Sequence, residues 1–259
     1  NIILFLADGG GIPTLNAASN YGYGRPLQLF IQNMPHIGLS ETSSASAWVT
    51  DSAAAMTAIV TGRKTHNGVI SQSDSAVRGE KDGAPLKTIL EYAEERGLST
   101  GLVSNSSVAS ATPAACYAQV NERKKVGEIF AQVLRPRFGD GVDVIIGPDR
   151  NEIVEATRKL GLDLEAELPR KGYGLFDSVD AVPAEAARVV ALLPDEEFDL
   201  GAAVERAIDI LSRNPQGFFL MVESNVHFES VLKTLGRTVA FDRVIRQAAE
   251  RMKDRDTLI

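Results

Sequence analysis

The chain has a single cysteine, Cys116, among 259 residues, and only three histidines. One thiol cannot close an internal disulfide, and it excludes a cluster of thiolate metal ligands. Cysteine usage therefore leaves the redox compartment open. No run of 18 apolar residues occurs, so no membrane span is expected. No secretory signal is expected in the first residues either. They open directly in an apolar run, as a mature or trimmed N-terminus would. Positive charge is in deficit: 27 Lys and Arg face 34 Asp and Glu, for a net charge of −7. That balance offers no general attraction for a nucleic-acid backbone, and no nucleic-acid partner is expected. A small anionic substrate stays compatible with it, because a local metal ion or arginine outweighs the overall field. Internal repeats, low-complexity segments and obvious linkers are also lacking.

What is present is ordinary globular composition, 44% hydrophobic and 24% charged. Apolar runs alternate with helical patterns. NIILFLADGGG reads as a buried strand followed by a glycine turn. In residues 84–105, Leu86, Ile89, Leu90 and Ala93 share a helical face, Gly97 ends the helix, and a strand follows. The theme recurs with a strand at residues 142–146. A further strand is possible at 187–193. AAVERAIDILSRNPQGFFLMVES gives a helix, a turn and a strand at 218–222. Residues 236–252 read as helix, and DTLI opens another strand. This alternation predicts an α/β chain, a three-layer α/β/α sandwich on a mostly parallel sheet, held in one domain over residues 1–259. The polar region 148–186 reads as an insertion or cap. Ligands of such sheets sit beyond the carboxyl ends of the strands, where Asp8, residues 104–112 and Glu223 fall.

Within WVTDSAAAMTAIVTG, Thr50-Asp51-Ser52 stands at the mouth of an alanine-rich helix. One reading is a helix cap, whose side-chain oxygen satisfies the first N–H groups. The other is a nucleophilic hydroxyl placed where the helix dipole favours an anion. Asp8 in LADGGG is a turn residue or a hard-metal ligand. Thr112, ahead of Pro113, is a cap or a hydroxyl ligand. Arg123 in QVNERKK is solvated charge or a bidentate phosphate clamp. Glu223 ends an apolar strand, where a carboxylate is rare unless paired or metal-bound.

Taken in order, six blocks of the chain resemble the alkaline phosphatase family: NIILFLADGGG, VTDSAAAMTAIVTGRKTHNGVI, GLVSNSSVASATPAACYAQV, DVIIG, GFFLMVE and AFDRVI. The resemblance implies that Ser52 attacks phosphorus and forms a phosphoserine intermediate, touching zinc as it does so. It implies that Asp8 bridges a zinc site and a neighbouring magnesium site completed by Thr112 and Glu223. Arg123 would clamp the phosphate and Asp51 would position Arg123. Two zinc ions and one magnesium are the implied cofactors, the zinc pair activating the serine and holding the leaving oxygen. A small phosphate ester is the implied substrate, a homodimer the implied assembly, and the periplasm or cell exterior the implied location. Rival readings are a phosphodiesterase or sulfatase of the same superfamily, or a non-catalytic relative that kept the fold. DSAAA lacks the Cys/Ser-x-Pro-x-Arg pattern of sulfatases, and no G-x-S-x-G surrounds Ser52.

The chain also departs from the family pattern. Ser110 stands where an Asp or His would feed the magnesium site, which weakens the expected magnesium affinity. Five and nine residues after Glu223, where zinc-binding Asp and His are the pattern, stand Phe228 and Leu232. His227 is expected to act as the substitute zinc ligand, with Glu229 as a second nearby donor. DTLI matches the start of a strand that, in the family, leads to an Asp-His pair. The sequence is therefore expected to be an incomplete record of a longer protein. His66 is expected to be structural, and His36 to lie near a strand start without a metal role.

Overall fold

The computed structural model describes residues 1–228 and 230–259. Six strands form one parallel sheet: β1 (Ile2–Asp8), β2 (Ser99–Ser104), β3 (Val144–Gly147), β4 (Gly174–Phe176), β5 (Val189–Leu192) and β6 (Phe218–Asn225), in the order β1-β6-β2-β3-β5-β4. Nine α-helices are described: α1 (Ile12–Tyr23), α2 (Ser52–Thr61), α3 (Ile89–Glu95), α4 (Ala111–Tyr117), α5 (Val126–Ala131), α6 (Arg150–Arg158), α7 (Leu164–Arg170), α8 (Leu200–Leu211) and α9 (Val231–Met252). No described helix is long and apolar enough to cross a membrane.

Both faces of the sheet are covered, which is why its strands are apolar almost throughout. Alternate residues of β6 feed two separate cores. Phe219 and Met221 pack with Met56 of α2, Leu90 of α3 and Ala114 of α4. Phe218, Leu220 and Val222 pack with Val204 and Ile208 of α8 and Phe241 and Ile245 of α9. The three-layer α/β/α expectation is met. The same period-two alternation decides what happens at the strand tip: Glu223 follows the odd-numbered face, toward α2 and α4.

Local chemistry explains where the elements start. Thr88 accepts from the Glu91 amide while the Glu91 carboxylate accepts from the Thr88 amide, a reciprocal cap that opens α3. Leu86, expected on the helical face, precedes that cap, and its N–H bonds the Ser71 carbonyl instead. Helix α9 begins earlier than the periodicity indicated, because the Ser230 side chain caps it through the Lys233 amide. Buried Asp242 of α9 accepts from the amides of Phe30 and Ile31, both at 2.9 Å, pinning the loop after α1.

Two expectations need correction. Residues 148–186 are not a cap: they supply α6, α7 and β4, and β4 closes the sheet edge beside β5. Their polar composition reflects one-sided helices and an edge strand of three residues. His36 lies near no strand; it sits exposed in an irregular segment before α2. DTLI starts to pair as expected, through a parallel bridge from Leu258 to Ile2 alongside β1.

Candidate active site

The carboxyl ends of β1, β6 and β2 carry Asp8, Glu223 and Ser104, with Glu223 paired in register to Leu6 on one side and Ser104 on the other. Helix α2 aims its N-terminus at this edge. Asp51 is its N-cap and Ser52 its first residue. The cap reading of this stretch falls to Asp51. Asp51 Oδ1 accepts from the Ala54 amide at 3.0 Å and so caps the helix. Asp51 Oδ2 accepts from the Gly68 amide at 2.9 Å and from Arg123 Nη1 at 3.1 Å. Ser52 Oγ donates to Asp8 Oδ2 at 2.8 Å.

Glu223 is 1% exposed, and Ser104 Oγ donates to its Oε2 at 2.5 Å. Burial pushes its carboxyl up to about 7; Asp8 pushes the same way, while hydrogen bonds from Ser104 and Thr112 and the charge of Arg123 oppose. Thr112 is itself 1% exposed and lies inside the first turn of α4. Its role as N-cap is taken by Ser110, which makes no side-chain capping bond and instead lies 3.4 Å from Ser106 Oγ.

His227 reaches the site from the loop after β6. Its Nε2 lies 3.6 Å from Asp8 Oδ2, and its ring is largely exposed. Gly9 makes that approach possible: with φ +81, it would place an added Cβ 2.5 Å from His227 Cβ. Phe228 lies under the ammonium of Lys233, 4.4 Å from ring centre to nitrogen, and Leu232 is exposed on the first turn of α9. Neither offers a metal donor. Glu229, the other expected donor, lies outside the described residues. His66 bonds the Asp74 carbonyl at 2.8 Å through Nε2, in the loop after α2.

The structure thus brings Asp8, Ser52, Thr112 and Glu223 together, sets Asp51 and Arg123 beside them, and adds His227 at the rim. Asp8 and buried Glu223 bring two carboxylates near each other at neighbouring strand ends, with the Thr112 hydroxyl close to Glu223. That set of hard oxygens suits a magnesium-like cation, which would relieve their mutual repulsion. Among the described residues no cluster of three or more His, Cys, Asp or Glu side chains is assembled, so no complete four-donor zinc shell is present there. One contributor, Ser104, escaped the sequence reading as a site residue. Ser104 was legible only as a polar strand end. The Asn67-Gly68 turn lies in the block VTDSAAAMTAIVTGRKTHNGVI that carries the family resemblance; only its contact with Asp51, through the Asn67 side chain and the Gly68 amide, had no sequence signal.

Known proteins resemble this chain in sequence and in fold. The alkaline phosphatase family profile matches residues 1–173 and 170–259. Alkaline phosphatase of Gadus morhua is 31% identical over 319 aligned positions, taking in 100% of this chain and 67% of that protein. Alkaline phosphatase 4 of Bacillus subtilis (strain 168) is 29% identical, with 100% and 59% covered. Streptomycin-6-phosphate phosphatase of Streptomyces griseus is 30% identical, with 96% and 69% covered. Among solved structures, Thermus thermophilus alkaline phosphatase superposes with a TM-score of 0.84 at 28% identity, over 99% of this chain and 57% of that one. The alkaline phosphatase of the Antarctic bacterium TAB5 gives 0.84 at 26% identity, over 99% and 76%; a mutant of it was solved with Mg bound in its M3 site. The chain spans about three-fifths of the length of several of these relatives. With the family profile running across the whole chain and the fold shared at this level, the chain belongs to the alkaline phosphatase family.

Proposed function

We propose that the protein hydrolyses small phosphate monoesters through a phosphoserine formed on Ser52. The observation that carries this reading is the convergence on one helix N-terminus of a hydroxyl bonded to Asp8 and an arginine held by the helix cap. A bound phosphate would meet the positive end of α2 and the Arg123 guanidinium, whose fork matches phosphate oxygens. Asp51 fixes that guanidinium through Oδ2 while its Oδ1 holds the helix start. Asp8 accepts the Ser52 hydroxyl proton's hydrogen bond and so aims Oγ. In the first step the Ser52 Oγ–P bond forms and the ester O–P bond breaks, the alcohol leaving. In the second, water attacks the phosphoserine and inorganic phosphate departs, returning Ser52.

Divalent cations belong to this reading. Asp8, Thr112 and Glu223 would hold one of magnesium type, and Asp8, Ser52 and His227 would contribute donors toward zinc. Bound there, such ions supply charge neutralisation for the phosphoryl oxygens and lower the proton affinity of the nucleophile. Two zinc ions per chain need donors beyond those described. The kinship with a phosphatase named for streptomycin 6-phosphate supports a small-molecule monoester as substrate class. Arg123 favours a dianionic monoester over a diester or sulfate. Export from the cytoplasm and assembly as a homodimer are part of the same proposal, resting on the family alone.

The test is turnover of p-nitrophenyl phosphate by the full-length protein with zinc and magnesium, with acid-quench trapping of phosphoserine. Ser52→Ala should abolish both the trapped phosphate and turnover. Full-length protein without metal and without turnover would favour the non-catalytic relative, for which Phe228 and Leu232 are the supporting residues.

A further inference from the structure

A second arginine lies against the proposed phosphate clamp. Arg78 chelates Glu122, with Nε to Oε2 at 2.8 Å and Nη2 to Oε1 at 3.1 Å. Glu122 is the residue before Arg123, so a carboxylate is built into the chain directly beside the clamp. The Arg78 guanidinium also covers Gly68: a Cβ on that residue, at φ +86, would fall 2.3 Å from Arg78 Nε. Gly68 in turn donates to Asp51 and accepts the Arg123 amide at 2.8 Å. The tight turn 77–81 sets Arg78 in place, and the Gly79 amide ties that turn to the Asn121 carbonyl at 3.1 Å. Three consecutive residues, 121 to 123, are therefore held by the 77–81 turn, by Arg78 and by Gly68. Glu122 is mostly covered while Arg78 is half open, so the pair is partly desolvated and better made than an average surface pair.

We propose that Arg78 is a positioning residue for the phosphate site: it sequesters the Glu122 carboxylate, leaving Arg123 to Asp51 and to the phosphate. The inference rests on the phosphatase reading above. Without Arg78, Glu122 keeps only the Lys124 amide, at 3.1 Å, and the nearby Lys124 charge, and loses its bidentate partner, so more of its negative charge is left next to the clamp. That charge competes with the substrate dianion for Arg123 and repels it. Arg78 itself need not touch substrate.

The test is inorganic phosphate affinity, by calorimetry and as a competitive inhibitor, on metal-loaded full-length wild type, Arg78→Ala, Glu122→Gln and the double variant, with KM and kcat measured separately. Arg78→Ala should weaken phosphate binding and raise KM by about tenfold, with a much smaller change in kcat. Glu122→Gln, which removes the charge along with the chelate, should bind phosphate at least as well as wild type, and Glu122→Gln in the Arg78→Ala background should restore affinity. A purely structural strap gives the opposite pattern: Glu122→Gln weakens binding as Arg78→Ala does, and the double variant is no better. That pattern, or unchanged affinity in Arg78→Ala, overturns the proposal. Should Arg78→Ala fail to fold, Glu122→Gln alone decides between the two. Wild type that neither binds phosphate nor turns over would instead overturn the phosphatase reading itself, and this proposal with it.

Discussion

At the scale of single residues, the site places two demands on one carboxylate. Asp51 caps α2 with one oxygen and holds Arg123 and Gly68 with the other. Substitutions can separate these roles. Asp51→Ser keeps a capping oxygen and loses the second set of contacts; Asp51→Ala loses both. Chemical denaturation should find Asp51→Ala less stable than Asp51→Ser by about 1 kcal/mol, whereas phosphate affinity should fall comparably in both. Equal stabilities would mean that the cap contributes little. Ser52→Ala should lower kcat/KM by at least about 10^3-fold, with the thermal midpoint nearly unchanged, because Ser52 is not itself the cap. Of these residues, Ser52, Asp51, Arg123, Asp8, Thr112 and Glu223 were all legible as candidates, since each type announces a chemistry. Ser104 was not, because a serine acquires such a role only from what lies opposite it; Gly68 stood within a block that carries the family resemblance, but its bond to Asp51 did not show there.

At the scale of elements, the amino-terminal edge of the sheet holds a group that should make stability depend on pH. Glu94, on α3, accepts from Thr100 Oγ1 at 2.5 Å and from the Gly141 amide at 3.2 Å. Burial pushes its carboxyl from 4.5 up to about 7, and the nearby Asp143 and Asp140 add to the shift, against the two hydrogen bonds. A folded-state value above the unfolded one means that folding favours the protonated form. Its contribution is therefore fully present below about pH 4.5 and is lost as pH rises through 7. Glu94→Gln keeps a neutral side chain able to bond both Thr100 and Gly141. Urea titrations should show the variant gaining about 1–3 kcal/mol over wild type between pH 5 and pH 8. A stability difference that is flat with pH would show that Glu94 is charged at little cost. Element boundaries were less legible than element types. Helix α8 and strand β6 stand close to their periodic patterns. Strand β4 was missed because three residues, Gly174–Phe176, are too few to show alternation.

At the scale of the whole molecule, two cores on either side of one sheet must both be intact for the strand tips to meet. Phe219, 1% exposed, belongs to the core beneath the site. Phe219→Ala should cost about 3–5 kcal/mol in denaturant unfolding; a loss under 1 kcal/mol would mean that the core collapses around the vacancy. Cys116 reports on the same core. It is fully buried in α4, and burial pushes its thiol well above the ordinary range. A thiol reagent should therefore react with it only at the rate of opening of that layer, and labelling should rise in step with loss of circular dichroism. Rapid labelling of the folded protein would show that α4, and with it Thr112, opens locally.

The sequence by itself determined the layered α/β class, because strands buried on both faces must be apolar throughout and the helices between them one-sided. It also determined which residue types stand at the carboxyl ends of β1, β2 and β6. Tertiary structure alone decided how those ends combine. Strand order puts β6 between β1 and β2, so Asp8, Glu223 and Ser104 become neighbours although more than a hundred residues separate Ser104 from Glu223. It also decided that region 148–186 extends the sheet and that Arg78 lies on Gly68. Pairing across a sheet and contact between loops depend on chain topology, which local periodicity does not encode.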